Sequence, residues 1–185
     1  SPRRWSAIET ATLSYGYGLS VTALQLAQAY SVIADSGIRK PVSLVKLSAD
    51  DVAALSRERV LSTSISAQIK DMLETVVDPR RGGSAREGNV PFYKVAGKTG
   101  TAHFVGEFGY EANLHNSLFV GMIPASDPKI VVVVVINEPK GSEHYGGQVA
   151  APVFARVASG AMRLLNIPPD DVPIGQSVMS SGGDE

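Results

Sequence analysis

The stretch Val95-Ala96-Gly97-Lys98-Thr99-Gly100-Thr101-Ala102 decides how the rest of the chain is arranged. Side chains alternate between the two faces of an extended strand, so Lys98 and Gly100 are expected on one face and Thr99 and Thr101 on the other. Gly100 has no side chain, which lets another backbone approach the strand closely. A cation, hydroxyl donors and accessible backbone amides suit an extended peptide that ends in a carboxylate. The stretch is therefore predicted to be a substrate-binding strand edge.

Composition indicates an ordinary globular domain. The chain has 185 residues, of which 44% are hydrophobic and 19% charged, enough for one domain with its own core. The formal net charge of −1 gives no reason to expect nucleic acid as a partner. The absence of cysteine excludes disulfides, thiolate catalysis and cysteine metal sites. The longest apolar run, 130–136, is too short to cross a bilayer.

Two helices are predicted before the strand motif. Thr22 followed three residues later by Gln25 has the pattern of a capping box, and Gly37 is expected to end that helix. A second helix is predicted from near Ser64, with apolar residues at helical spacing up to Pro79.

Three connecting segments are predicted to be irregular. Alternating tyrosine and glycine in 14–18 is typical of a packed loop with unusual backbone angles, either a structural turn or a substrate contact. The glycine-rich basic segment 80–86 lacks the lysine and hydroxyl of a phosphate-binding loop and is interpreted as a solvated connection. Residues 105–113, after the motif, are expected to form a turn.

Residues 41–47 are predicted to form a short strand that contains the pattern Ser43-x-x-Lys46. This pattern occurs in serine acyl-transfer enzymes, where it lies on a helix and both side chains share one face. On a strand, an odd offset puts Ser43 and Lys46 on opposite faces. The pair is therefore rejected as a catalytic site.

The C-terminal half predicts an antiparallel meander covered by a helix. Residues 116–123 alternate as a strand, and the β-branched run 130–136 is typical of a central strand buried on both faces. The apolar segment 152–165 is expected to form a helix laid across the sheet. The fold class is α+β, with an antiparallel sheet covered by helices.

Several blocks, in order, resemble the class B penicillin-binding proteins, the division-specific septal peptidoglycan D,D-transpeptidases. The resemblance covers Trp5 to about Pro173. The matching blocks are 16–18 with 21–27, then 95–102, 134–139, 145–147 and 151–154. It implies the serine β-lactamase/penicillin-binding transpeptidase-like fold.

The resemblance also implies a chemistry. A serine attacks the carbonyl between two D-alanines of a stem peptide, and the acyl group then passes to an amine of a neighbouring peptidoglycan strand. Lys98 and Thr101 are assigned catalytic roles, Lys98 through its charge and Thr101 through a backbone N–H that supplies half of the oxyanion hole. Substrate binding is assigned to Thr99, Gly100, Thr101, His103, Tyr145 and Gly146. Metal ligands and cofactors are not expected.

The family requires Ser-x-x-Lys, Ser-x-Asn and Lys-Thr-Gly, and this chain supplies only the last in a suitable context. Residues 1–173 are therefore interpreted as the C-terminal portion of a transpeptidase domain, with the nucleophile on a missing upstream segment, and the fragment alone is predicted to be inactive. Residues 174–185 are expected to form a disordered tail.

Implied partners are peptidoglycan stem peptides, β-lactam antibiotics, the upstream part of the same protein and other division proteins. The implied location is the periplasmic face of the bacterial inner membrane, anchored by an N-terminal segment absent here. A role in cell division, septum formation and cell shape follows.

Some alternatives remain open. The three histidines, His103, His115 and His144, are scattered and lack metal-ligand spacing. His103 shares a strand face with Thr99 and Thr101, and relatives often carry an aromatic side chain near the position of His115. Tyr145 is either an apolar wall of the site or a loop anchor. The chain also fits a serine β-lactamase or D,D-carboxypeptidase, or a non-catalytic partner-binding domain on the same fold.

Overall fold

The computed structural model describes residues 5–16, 18–106 and 109–172, with only the backbone described between residues 103 and 114. Six α-helices and five strands follow one another in this part of the chain. In order they are α1 Ala7–Ser14, α2 Ala23–Ala34, β1 Ile38–Arg39, α3 Ala49–Ala54, β2 Glu58–Arg59, α4 Thr63–Val77, β3 Ala96–Gly106, β4 Gly109–Ile123, β5 Ile130–Asn137, α5 Gly146–Val149 and α6 Ala151–Leu164. Of the helices described, none has the length and apolar character that spanning a membrane requires.

The main sheet is an antiparallel meander in the order β3-β4-β5, which confirms the predicted α+β architecture. The register places Lys98 opposite Val120 and Thr101 opposite Ser117. A separate two-stranded sheet pairs β1 with β2. The predicted turn over 105–113 is wrong in extent, because β3 runs to Gly106 and β4 begins at Gly109.

The prediction that 130–136 is the central strand is wrong, because β4 lies in the middle and β5 lies at an edge of the described sheet. Its apolar composition has another cause: helices cover both of its faces. Val131 packs in the same cluster as Ile33 of α2, whereas Val132 and Val134 pack in the cluster that contains Phe154 of α6. Helices that cover both faces of a strand account for its apolar side chains. That composition does not show whether other strands pair with both of its edges.

The core therefore has two parts, one on each face of the sheet. On the α6 side, the rings of Phe119 and Phe154 meet edge to face with centroids 4.8 Å apart. Gly97 makes room for them, since a Cβ there would lie 2.4 Å from Cζ of Phe119. On the other side, Leu73 of α4 packs with Met122 of β4. As predicted, α6 lies across the sheet, where it contacts β4 and β5.

Capping boxes start helix α2, which was predicted from the sequence, and helices α1 and α3, which were not. Thr22 and Gln25 form the predicted capping box at the start of α2. Ser6 with Glu9 starts α1, and Ser48 with Asp51 starts α3 in the same way. The interpretation of 14–18 as a packed loop is only partly right. Gly16 and Gly18 have positive φ angles of 93° and 84°, but the neighbouring Tyr15 is 67% exposed.

The strand predicted over 41–47 is wrong, since these residues form neither strand nor helix. The Ser43 hydroxyl donates to the carbonyl of Val45 at 2.7 Å and accepts from its N–H at 3.2 Å. Such a local turn competes with regular pairing. Because no helix brings Ser43 and Lys46 onto one face, the rejection of this pair as a catalytic site stands.

Replacing Thr22 by alanine is expected to lower the free energy of unfolding of the complete protein by about 1 kcal/mol, because the N–H of Gln25 loses its acceptor. Urea denaturation measures the change. Ser31→Ala is the control: it removes an exposed hydroxyl of the same helix that bonds the carbonyl of Gln28, and should change stability by less than about 0.5 kcal/mol. Equal stabilities of Thr22→Ala and wild type would contradict the capping role.

Candidate active-site groove

A groove of about 410 Å³ lies between β3, the start of α5 and the loop that precedes β3. Two threonines of the strand motif, Thr99 and Thr101, form one side of it. The other lining residues are Tyr145, Gly146, Gly147 and Gln148 around α5, and Gly83, Ser84, Arg86 and Glu87 from the loop. Four of the predicted site residues (Thr99, Thr101, Tyr145 and Gly146) therefore line a single groove.

The predicted alternation of side chains along β3 is confirmed. Thr99 and Thr101 face the groove, while Gly100 faces Leu118 of β4. The reason given for Gly100 needs correction, because a Cβ there would lie 2.8 Å from Cγ of Leu118, which is a side chain and not a backbone. The close backbone approach is made by Gly146, where a Cβ would lie 2.6 Å from the carbonyl oxygen of Gly100.

Lys98 is exposed and is not among the residues that line the groove, but its ammonium lies beside Thr99, which is. Its Nζ donates to the carbonyl of Thr99 at 2.8 Å and lies 3.5 Å from Oγ1 of Thr99. No other strand in the described ranges pairs with the outer edge of β3, so the lysine side chain has room to curl around that edge. The lysine charge thus lies next to one of the two groove-lining hydroxyls.

Two side-chain hydroxyls attach the segment 144–146 to the sheet. The N–H of Gly146 donates to Oγ1 of Thr101 at 3.1 Å. The hydroxyl of Ser117, which is fully buried, donates to the carbonyl of His144. Sequence analysis missed Ser117, because a serine on a predicted strand gives no signal of the distant loop that it contacts.

Aromatic rings form a row at the end of the groove. The rings of His115 and His144 stack with centroids 4.3 Å apart, and the His144 ring tilts against Tyr145 at 4.4 Å. Two histidines that look scattered in sequence are therefore neighbours. Tyr145 is 59% exposed and borders the groove. The side chain of His103 lies outside the described part of the structure.

Segment 80–86 is not merely a solvated connection, because part of it forms a wall of the groove. Ala85 is fully buried, and a Cβ on Gly83 would lie 2.1 Å from the carbonyl oxygen of Val76. A Cβ on Gly147 would likewise lie 2.0 Å from the carbonyl oxygen of Ser84. Gly83 thus lets the loop approach α4, and Gly147 lets α5 approach the loop, so the Gly-Gly pairs 82–83 and 146–147 are a usable sequence signal for close backbone contact.

A larger cavity of about 570 Å³ lies beside α4 and contains none of the predicted site residues. Its charged lining includes Asp71, Glu74 and Lys94. Burial raises the pKa of the Glu74 carboxyl, and the charge of Lys94 opposes that rise. Within the residues that the structure describes, no group of three or more His, Asp or Glu side chains could hold a metal ion.

Comparison with known proteins gives consistent matches. The penicillin binding protein transpeptidase domain matches residues 1–159. Peptidoglycan D,D-transpeptidase FtsI of Escherichia coli K12 is 42% identical over 173 residues, which cover 94% of this chain and 28% of that protein. Probable peptidoglycan D,D-transpeptidase PenA of Neisseria flavescens is 39% identical over 90% of this chain and 40% of that protein. The chain thus spans less than half the length of these curated relatives.

A solved structure matches the fold as well as the sequence. The apo TP domain of Burkholderia pseudomallei penicillin-binding protein 3 is 43% identical, with a TM-score of 0.81. The match covers 90% of this chain and 49% of that one.

Proposed function

The chain belongs to the penicillin-binding protein transpeptidase family, and from this premise we propose that residues 1–173 are the C-terminal part of a peptidoglycan D,D-transpeptidase domain. The proposed reaction cross-links stem peptides during septal cell-wall synthesis. The relatives named as D,D-transpeptidases support this reading over a β-lactamase or carboxypeptidase. The observation that carries it is the groove lined by Thr99 and Thr101, with the Lys98 ammonium 3.5 Å from the Thr99 hydroxyl.

In the proposed reaction, a serine on an upstream segment attacks the carbonyl between two D-alanines. The C–N bond breaks, the departing D-alanine takes a proton on its amine, and an ester forms on the serine. An amine of a neighbouring strand then attacks the ester and restores the serine hydroxyl. β-Lactams resemble the D-alanine pair and form an ester that stays on the serine.

The residues of this chain have separate roles in that reaction. The hydroxyls of Thr99 and Thr101 bind the terminal carboxylate, and the Lys98 ammonium supports its charge. The N–H of Thr101 supplies half of the oxyanion hole, and the N–H of the serine supplies the other half. Gly100 leaves room for the Leu118 side chain under the strand, Gly146 lets the start of α5 approach β3, and Tyr145, with His103, borders the bound peptide.

The partners follow from the reaction. They are the stem peptide, β-lactam antibiotics, the upstream part of the same protein and other division proteins. The proposed location is the periplasmic face of the inner membrane, held there by an N-terminal anchor outside this chain.

Fluorescent penicillin tests both the activity and the position of the nucleophile. The complete protein should become covalently labelled and keep the label through denaturation, whereas residues 1–185 alone should not, because the serine is absent. Prior incubation with unlabelled penicillin is the control and should block labelling. An unlabelled complete protein would contradict the transpeptidase proposal, and rapid loss of the label with turnover would indicate a β-lactamase. A labelled isolated chain would contradict only the upstream position of the serine.

A further inference from the structure

We propose that Ser117 is a positioning residue for acylation: it fixes the segment 144–146 so that the Thr101 hydroxyl faces the ligand as a hydrogen-bond donor. The inference rests on the proposed function. It deepens that function by explaining how the groove selects a ligand with a free carboxylate.

The Thr101 hydroxyl is held in one orientation by its neighbour Gly146. A hydroxyl group has one proton to donate and accepts at its lone pairs. The N–H of Gly146 already donates to this oxygen at 3.1 Å, so the hydroxyl proton of Thr101 must point in another direction. Thr101 lines the groove, which leaves that proton available to a ligand. An ionised carboxylate only accepts hydrogen bonds and therefore matches a hydroxyl held in this way.

Gly146 lies unusually close to the backbone of the sheet. A Cβ at this position would lie 2.3 Å from the carbonyl oxygen of Leu118 and 2.6 Å from that of Gly100. Both neighbours are backbone atoms of paired strands, which do not move aside easily. Only glycine therefore brings its N–H close enough to Thr101.

Ser117 attaches the same segment to the sheet at His144. Ser117 and Thr101 are directly opposite each other in the register of β3 and β4. The Ser117 hydroxyl donates to the carbonyl of His144, two residues before the N–H that bonds Thr101. One cross-strand pair thus holds both ends of the segment 144–146. Ser117 is fully buried, so water cannot easily replace its hydroxyl.

The test is a double-mutant cycle in the complete protein, measured as the rate of acylation by penicillin. Ser117→Ala should slow acylation about tenfold, the size expected for one lost hydrogen bond. Ser117 acts through Thr101, so the same change should slow acylation no further in a Thr101→Val background. Ser66→Ala is the matched control, because Ser66 is also buried and its hydroxyl has no hydrogen-bond partner within the described residues. It should leave the acylation rate unchanged.

A second measurement separates positioning from a merely structural role. Wild type should prefer penicillin over its methyl ester, which has no free carboxylate, and Ser117→Ala should reduce that preference. Equal slowing toward acid and ester, full additivity with Thr101→Val, or a lower melting temperature with unchanged acylation would each overturn the proposal.

If Ser117→Ala does not fold, amide exchange tests the bond from Gly146 to Thr101 on which the proposal depends. The Gly146 amide should exchange with D₂O faster in Thr101→Val than in wild type, and equal rates would overturn the proposal. This readout does not depend on acylation. Failure of wild type to react with penicillin would therefore count against the proposed function, while Gly146 exchange would still test the bond through which Ser117 is proposed to act.

Discussion

Lys98→Ala in the complete protein is expected to slow acylation by penicillin by about 100-fold or more, the range for loss of a group that assists charge and proton movement. The Lys98 ammonium lies beside both oxygens of Thr99, where it would face the ligand carboxylate. The side chain is exposed, so its removal leaves no buried cavity and the fold should persist.

Stopped-flow acylation measures the rate, and circular dichroism with thermal melting checks the fold. Lys94→Ala is the matched control, because Lys94 precedes the same strand but lines the other cavity, with Asp71 and Glu74. It should acylate at the wild-type rate. Normal acylation in Lys98→Ala would remove Lys98 from the site.

Gly146→Ala is expected to have the second large effect, a loss of both stability and acylation rate. The added methyl group would meet the carbonyl oxygens of Leu118 and Gly100 below 3 Å, so the start of α5 must move away from the sheet. Overpacking of this kind costs about 1–3 kcal/mol of stability. The bond from Gly146 to Thr101 would also be lost, and acylation should fall at least about tenfold.

Gly160→Ala is the same chemical change as Gly146→Ala, but it is expected to raise the free energy of unfolding instead of lowering it. Gly160 lies within α6, and a Cβ there meets nothing within 4 Å. Alanine should raise the free energy of unfolding by about 0.5–1 kcal/mol, because it favours the helical backbone. Urea denaturation measures both variants. A Gly146→Ala protein as stable and as reactive as wild type would show that α5 adjusts freely.

The parts of the fold that were predicted correctly are those whose sequence pattern repeats. Helix α4 has an apolar stripe, α2 has a capping box, and β4 alternates along its second half, so local rules were enough. The exposed helices α1 and α3 bury no side chain and so leave no stripe to detect. The position of β5 at an edge depends on which strands pair, and that information is not local.

The candidate site likewise contains residues that local rules predict and contacts that they do not. Thr99 and Thr101 were placed correctly because strand alternation fixes their face. The reach of Lys98 around the strand edge depends on a flexible side chain, and alternation alone predicted separation. Ser117 and the pairing of His115 with His144 arise from contacts 27 and 29 residues apart in the chain, which no spacing rule connects.

The edge position of β5 has a consequence for how the molecule behaves in solution. This strand carries five consecutive valines flanked by isoleucines, and no strand of the described sheet pairs with its outer side. A β-branched edge without charge, proline or bulge invites hydrogen bonding to a second polypeptide, the first step of ordered aggregation. Samples in which nothing shields this strand should therefore lose solubility as their concentration rises.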